Sequence, residues 1–150
     1  MKKTSIIFLL VFQIFINNHS FSQKLMPCEL KVKIDSISDS ETQESILIKK
    51  IMLEKKIANI RFGEYFKEDR VKVYSNEKLI FDNLVTTNPS IGKSETRIEI
   101  NTSKQNLIRI IFDDCEVDFS YNYFFLFLEI DEYDKDVKLF YTNNPWRKLE

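Results

Sequence analysis

Cys28 and Cys115 are the only two thiols in the chain, and His19 is its single histidine. A cysteine becomes a nucleophile when a neighbouring base or positive charge holds it as the thiolate, and histidine is the usual base. The two cysteines open similar runs, CELKVKI and CEVDFSY. Side chains two apart share one face of a strand. Cys28 therefore falls in phase with Leu30, Val32 and Ile34, and Cys115 with Val117, Phe119 and Tyr121. Both thiols are expected to start a strand and point into a core, where a catalytic role has little to support it. The chemistry left to them is a disulfide between Cys28 and Cys115 or, as the bland alternative, two buried thiols acting as small hydrophobes.

Carboxylates are the other reactive group. DEYDKD holds Asp131, Glu132, Asp134 and Asp136 within one short stretch, but it lacks the spacing and the glycine of a calcium loop and reads as a solvated hairpin turn. Asp113 and Asp114 read as another turn. A glycosidase needs two acids held across a cleft, a separation that sequence does not display. Gly63 and Gly92, the only two glycines, stand far apart, so there is no phosphate-cradling loop or dinucleotide fingerprint. No metal site and no cofactor are expected.

The most unusual stretch is YNYFFLFLEI. Read as a strand, it puts Phe124, Leu126, Leu128 and Ile130 on one face and Tyr121, Tyr123, Phe125 and Phe127 on the other, ending at Glu129. A sandwich strand buries one face and wets the other, and here both are apolar. Either the second face is covered, by residues 45–62 or by the Trp146 tail, or it is an exposed strip that receives a sugar, a peptide or another subunit. Tyr65 and Phe66 in FGEYFKED are weaker candidates for the same surface. The loop TTNPSIGKS, residues 86–94, adds Thr87 and Asn88 as hydroxyl and amide groups for a ligand.

The elements that hold these residues begin after the leader. Lys2 and Lys3, the apolar run Ile6 to Ile16 and the small Ser20 and Ser22 before Gln23 have the three parts of a secretory signal. The apolar run is about half the ~20 residues that span a bilayer. Residues 1–22 are therefore expected to be removed, taking His19 with them and leaving a single domain, 23–150, with no transmembrane segment. A lipobox ending at Cys28 is disfavoured by Pro27 directly before it. Net charge is −1 for the whole chain and falls further once Lys2 and Lys3 leave, which gives no electrostatic footing for nucleic acid.

Alternating apolar runs predict roughly eight to ten short strands joined by polar turns, an all-β antiparallel sandwich. VKVYS and KLIFDN form a hairpin about Asn76-Glu77, through a tight turn or a longer type I connection. Residues 45–62 are ambiguous. Ser40 and Gln43 would make a capping box for one short helix in 40–60, yet the apolar residues scatter around a helical wheel. Strands with a bulge at Lys49-Lys50 are favoured. If residues 115–121 have strand neighbours on both sides, a bridge to Cys28 is expected to cross between sheets.

The signal ending SFSQ, the Ile-, Lys-, Asn- and Phe-rich composition, and the order VKVYSNEKLIFDN, TTNPSIG, IRIIF, LFYTN resemble small exported β-sandwich proteins of Bacteroidetes-type bacteria. That resemblance implies compartment and fold and carries no catalytic residues. The expected function is a non-enzymatic binding module of the periplasm or cell surface, with an envelope protein or glycan as its partner. A structural or assembly subunit that uses the aromatic face as a homo-oligomer contact is the alternative. A carboxylate-based hydrolase comes last.

Overall fold

The structure is a computed structural model and describes residues 25–34 and 42–145. The signal segment 1–22 and Trp146 lie outside the described residues. Among the described residues, ten strands and one helix follow in the order β1 (Met26–Pro27), β2 (Glu29–Ile34), α1 (Gln43–Lys55), β3 (Ile57–Phe62), β4 (Lys67–Ser75), β5 (Lys78–Thr86), β6 (Arg97–Asn101), β7 (Leu107–Ile111), β8 (Cys115–Ser120), β9 (Phe127–Tyr133) and β10 (Asp136–Thr142). They form two five-stranded sheets, β1-β8-β7-β4-β5 and β2-β10-β9-β3-β6. The expected sandwich with one short helix is what the chain forms. Pairing within the sheets is mixed rather than purely antiparallel, because β1 with β8, β2 with β10 and β3 with β9 run parallel.

Strand alternation builds the core. Val71, Val73, Val85, Ile108, Ile110 and Val117 of the first sheet meet Ala58, Ile60, Phe62, Ile98, Ile100, Leu128, Ile130, Val137 and Leu139 of the second in one buried cluster. Their intervening neighbours point outward, which is the pattern of two stacked sheets with apolar inner faces.

The chain changes sheets at Cys28. β1 lies on the edge of the first sheet, β2 on the edge of the second, and Cys28 is the single residue between them. Cys28 and Cys115 are bonded, with Cα atoms 5.3 Å apart. The bridge does not jump between strands of facing sheets as the sequence suggested. It sits where Met26 pairs in parallel with Cys115, and the Cys28 N–H donates to the carbonyl of Glu116 at 2.9 Å. The reason is that β8 and β9 are not neighbours. β8 has β7 on one side and leaves the other open to β1. With its sulfur in this bond, Cys28 carries no lipid.

A second correction concerns β2. Leu30, Val32 and Ile34 register with the buried Val137, Leu139 and Tyr141, so they do face inward. They are nevertheless 37%, 54% and 56% exposed, since β1, the two-residue edge strand across from them, is too short to cover a six-residue strand.

Residues 43–55 are helical, where strands with a bulge were favoured. Thr42, not Ser40, is the N-cap. Its Oγ1 accepts from the Ser45 N–H at 3.1 Å, Glu44 occupies the first turn, and Lys56 ends the helix in the left-handed region at φ 53°. The wheel looked scattered because it is scattered. Only Met52 and Ser45 are buried, while Ile46, Leu47, Ile51 and Leu53 stay exposed. The helix docks through a narrow contact of Met52 and Ile48 on Ile57, Leu126 and Phe127.

Two hairpins turn on two residues each with positive φ, Asn76-Glu77 and Asp134-Lys135. Both match the right-handed twist of their strands, as type I′ turns do. Glu77, at φ 67°, is a β-carbon in a region where glycine is unstrained. Glu77→Gly is expected to raise stability by about 1 kcal/mol, read as a higher denaturant midpoint at unchanged slope. A lowered midpoint would mean that the lost side chain, not backbone strain, controls this turn.

Candidate functional site

The aromatic run does not form one continuous strand. β8 ends at Ser120 and β9 starts at Phe127, and the residues between make a tight loop that carries the chain from one sheet to the other. Tyr121 is buried, with its hydroxyl donating to the Phe125 carbonyl at 3.0 Å and its ring 5.6 Å from that of Tyr141. Burial pushes the Tyr121 phenol well above its ordinary range. Phe125 packs against the core beside Tyr141. Phe127 is buried beneath α1. The four side chains therefore do not make an exposed strip. Tyr123 and Phe124 are the two that face water, with ring centroids 4.8 Å apart. Asn143 holds the loop from outside, accepting from Leu126 N–H and donating to the Phe124 carbonyl.

Thr87 and Asn88 serve the fold. Thr87 Oγ1 accepts from the Phe66 N–H and donates to the Gly63 carbonyl, tying the end of β5 to the start of the β3–β4 loop. Asn88 closes its own loop. Its N–H donates to the Lys93 carbonyl, its Oδ1 accepts from Ser90 N–H, and Gly92 turns at φ 65°. The consequence is positional, because the Ser94 N–H then docks on the Phe62 carbonyl and brings Lys93 and Ser94 to the end of β3.

On the outer face of the second sheet, strand register sets one row of side chains side by side. Arg97 of β6 is opposite Arg61 of β3, Arg61 is beside Glu129 of β9, Glu129 is opposite Phe140 of β10, and Phe140 is beside Lys33 of β2. Arg61 is 6% exposed and Glu129 only 2%. The Arg61 guanidinium lies 4.1 Å from the Phe127 ring centre, and its Nη1 donates to the Pro145 carbonyl at 2.8 Å. Burial, with the Arg97 charge second and Glu129 opposing, lowers the Arg61 pKa to about 10. Burial also lowers Lys93, which feels Glu129 in the favourable sense and Arg61 and Arg97 in the unfavourable one. Arg61, Ile91, Lys93, Ser94, Glu95 and Arg97 line a cavity of about 280 Å³ beside this row.

Further along β9 on the same face, Asp131 accepts from the Glu64 N–H at 2.8 Å and Tyr133 stacks on Tyr65 with centroids 5.2 Å apart. Both tyrosines are more than half exposed. Tyr65 sits at φ 80°, a left-handed backbone that a bulky residue rarely adopts. The Glu64 side chain accepts from its hydroxyl and raises its pKa. Phe66, its sequence neighbour, is buried.

Sequence reasoning named Tyr65 but missed Tyr133, Arg61, Lys93, Arg97 and Glu129. A signal was present in two places. IANIRF and LFLEI each place one charge inside an apolar strand, a pattern that marks a buried ionic group. Lys93 and Arg97 carry no such mark, since the loop's path brings Lys93 to Arg61 and the antiparallel pairing of β3 with β6 brings Arg97.

No family model matches the chain, and no curated protein matches it. A solved structure described as an iodinated CBM25 from a Bacillus halodurans amylase in complex with maltotetraose is similar over 54% of this chain and 92% of that one. Identity is 12% and the TM-score 0.34, a likeness too slight to assign a ligand.

Proposed function

We propose that the protein is an exported, non-catalytic β-sandwich binding module that recognises a glycan on the outer face of its second sheet. The observation that carries this reading is the Tyr65–Tyr133 platform. Two exposed tyrosines stack, and one of them is fixed in a backbone conformation that costs energy. Strain of this kind persists where the surroundings over-determine it, and it gathers at binding and catalytic sites. A flat apolar pair suits the C–H face of a sugar ring, and the carboxylates of Glu64 and Asp131 beside it suit the hydroxyls. Export is supported by the Cys28–Cys115 bond, which persists outside a reducing cytosol. No helix among the described residues is long and apolar enough to cross a membrane.

The test is a glycan panel with the purified oxidised protein and two double variants. Y65A/Y133A is expected to weaken binding more than about tenfold, as loss of a central aromatic contact does. Loss in Y123A/F124A alone would move the site to the 121–126 loop. Loss in neither would end the aromatic reading.

A further inference from the structure

We propose that the cavity framed by β3, β6 and the loop between β5 and β6 is an oxyanion site, which takes a carboxylate or sulfate group carried on a small ligand. The inference goes beyond the tyrosine platform and does not depend on it.

Three cations converge there. Arg61 and Arg97 are direct cross-strand partners on one face, an arrangement that repels unless something negative lies between. Lys93 is the third, delivered by the Gly92 turn and the Ser94 hydrogen bond to Phe62. Two carboxylates belong to the neighbourhood. Glu95 lines the cavity, and Glu129 stands beside Arg61 in register. Three cations against two acids leave an excess of positive charge. Arg61 also has donor capacity to spare. It is 6% exposed, yet its Nε has no hydrogen-bond partner among the described residues. A buried donor of this kind is an invitation to an acceptor. A guanidinium presents a planar fork that fits a carboxylate or sulfate in two parallel bonds, and Lys93 supplies a point charge to the same group. Ile91 and Ser94 line the rest, one apolar contact and one small polar group. A volume of about 280 Å³ is near the lower end for ligand pockets, which fits one ring or a single oxyanion and little more. Burial is the main cause that lowers the Lys93 pKa, and the Arg61 and Arg97 charges add to it against the opposing effect of Glu129.

The experiment is calorimetric titration of the full oxidised protein with sodium glucuronate, sodium sulfate and neutral glucose, at ionic strength held constant with chloride. Saturable binding of glucuronate or sulfate is expected, with no response to glucose. In K93Q/R97Q that affinity should fall roughly ten- to a hundredfold, the effect of losing charged hydrogen bonds. Both residues are at least partly exposed, so the fold should survive. If the double variant fails to fold, Lys93→Gln alone reads the same effect on the loop. Glucuronate bound more tightly than sulfate assigns the site to an acidic sugar, and sulfate bound as tightly or more assigns it to a bare oxyanion. Absence of saturable binding by both, or unchanged affinity in a folded Lys93 variant, overturns the proposal. The Y65A/Y133A variant keeps its oxyanion affinity whatever the glycan panel shows, so the two readings fail separately.

Discussion

Removing the Cys28–Cys115 bond is expected to lower the free energy of unfolding by about 4–5 kcal/mol, the chain-entropy value for a loop of this size. The bond spans a sequence separation of 87 residues, so the unfolded chain regains much freedom when it is cut. The native state loses something as well. Cys28 is the crossing point between the sheets, and β1 holds β8 by only two register pairs. Without the covalent link, those pairs have little to keep them, while β2 keeps its register with β10. Stability of a single domain is of order 5–15 kcal/mol, so the loss takes a large share of it. The measurement is urea unfolding of the oxidised protein against C28A/C115A, with linear extrapolation of both. Coincident midpoints would show that the bond constrains nothing that the sheets do not already hold.

Inner-face residues were easiest to read in β4, β6, β7 and β8, where alternation with a period of two survives. Val71 and Val73, Ile98 and Ile100, Ile108 and Ile110 are buried two apart along their strands. Three features were hidden, each for a physical reason. Helix α1 has no apolar stripe to detect, since it is held by its caps and by Met52 rather than by a broad buried face. The aromatic run looked like a strand because both its faces are apolar. Its backbone instead turns at Asn122, whose carbonyl and Oδ1 accept from the Phe125 and Phe124 N–H groups. The parallel pairings join strands far apart in the chain, β1 with β8, β2 with β10 and β3 with β9, and no local pattern records which sheet a strand joins. The same limit explains the site. Arg61 and Glu129 are far apart in sequence and adjacent only through the parallel register of β3 with β9.

That register makes Glu129 the residue whose charge the outer face can least spare. It is 2% exposed and sits beside Arg61, which in turn faces Arg97. Glu129→Gln keeps the shape and removes only the charge. Arg61 stays buried over Phe127, now without its neighbouring anion, while the repulsion from Arg97 remains. Breaking one partner of a buried ionic group typically costs about 3–5 kcal/mol, and a loss in that range is expected in denaturant unfolding at neutral pH. Packing loss and charge loss are separated by a second substitution. Arg97→Gln in the E129Q background removes the charge that repels Arg61, so the double variant should lose less than the sum of the single changes, by roughly 0.5–3 kcal/mol. Strict additivity, or a Glu129→Gln cost below about 0.5 kcal/mol, would mean the row of charges is solvated well enough that its members ignore one another. In that case Arg61 would be held by its aromatic and carbonyl contacts alone.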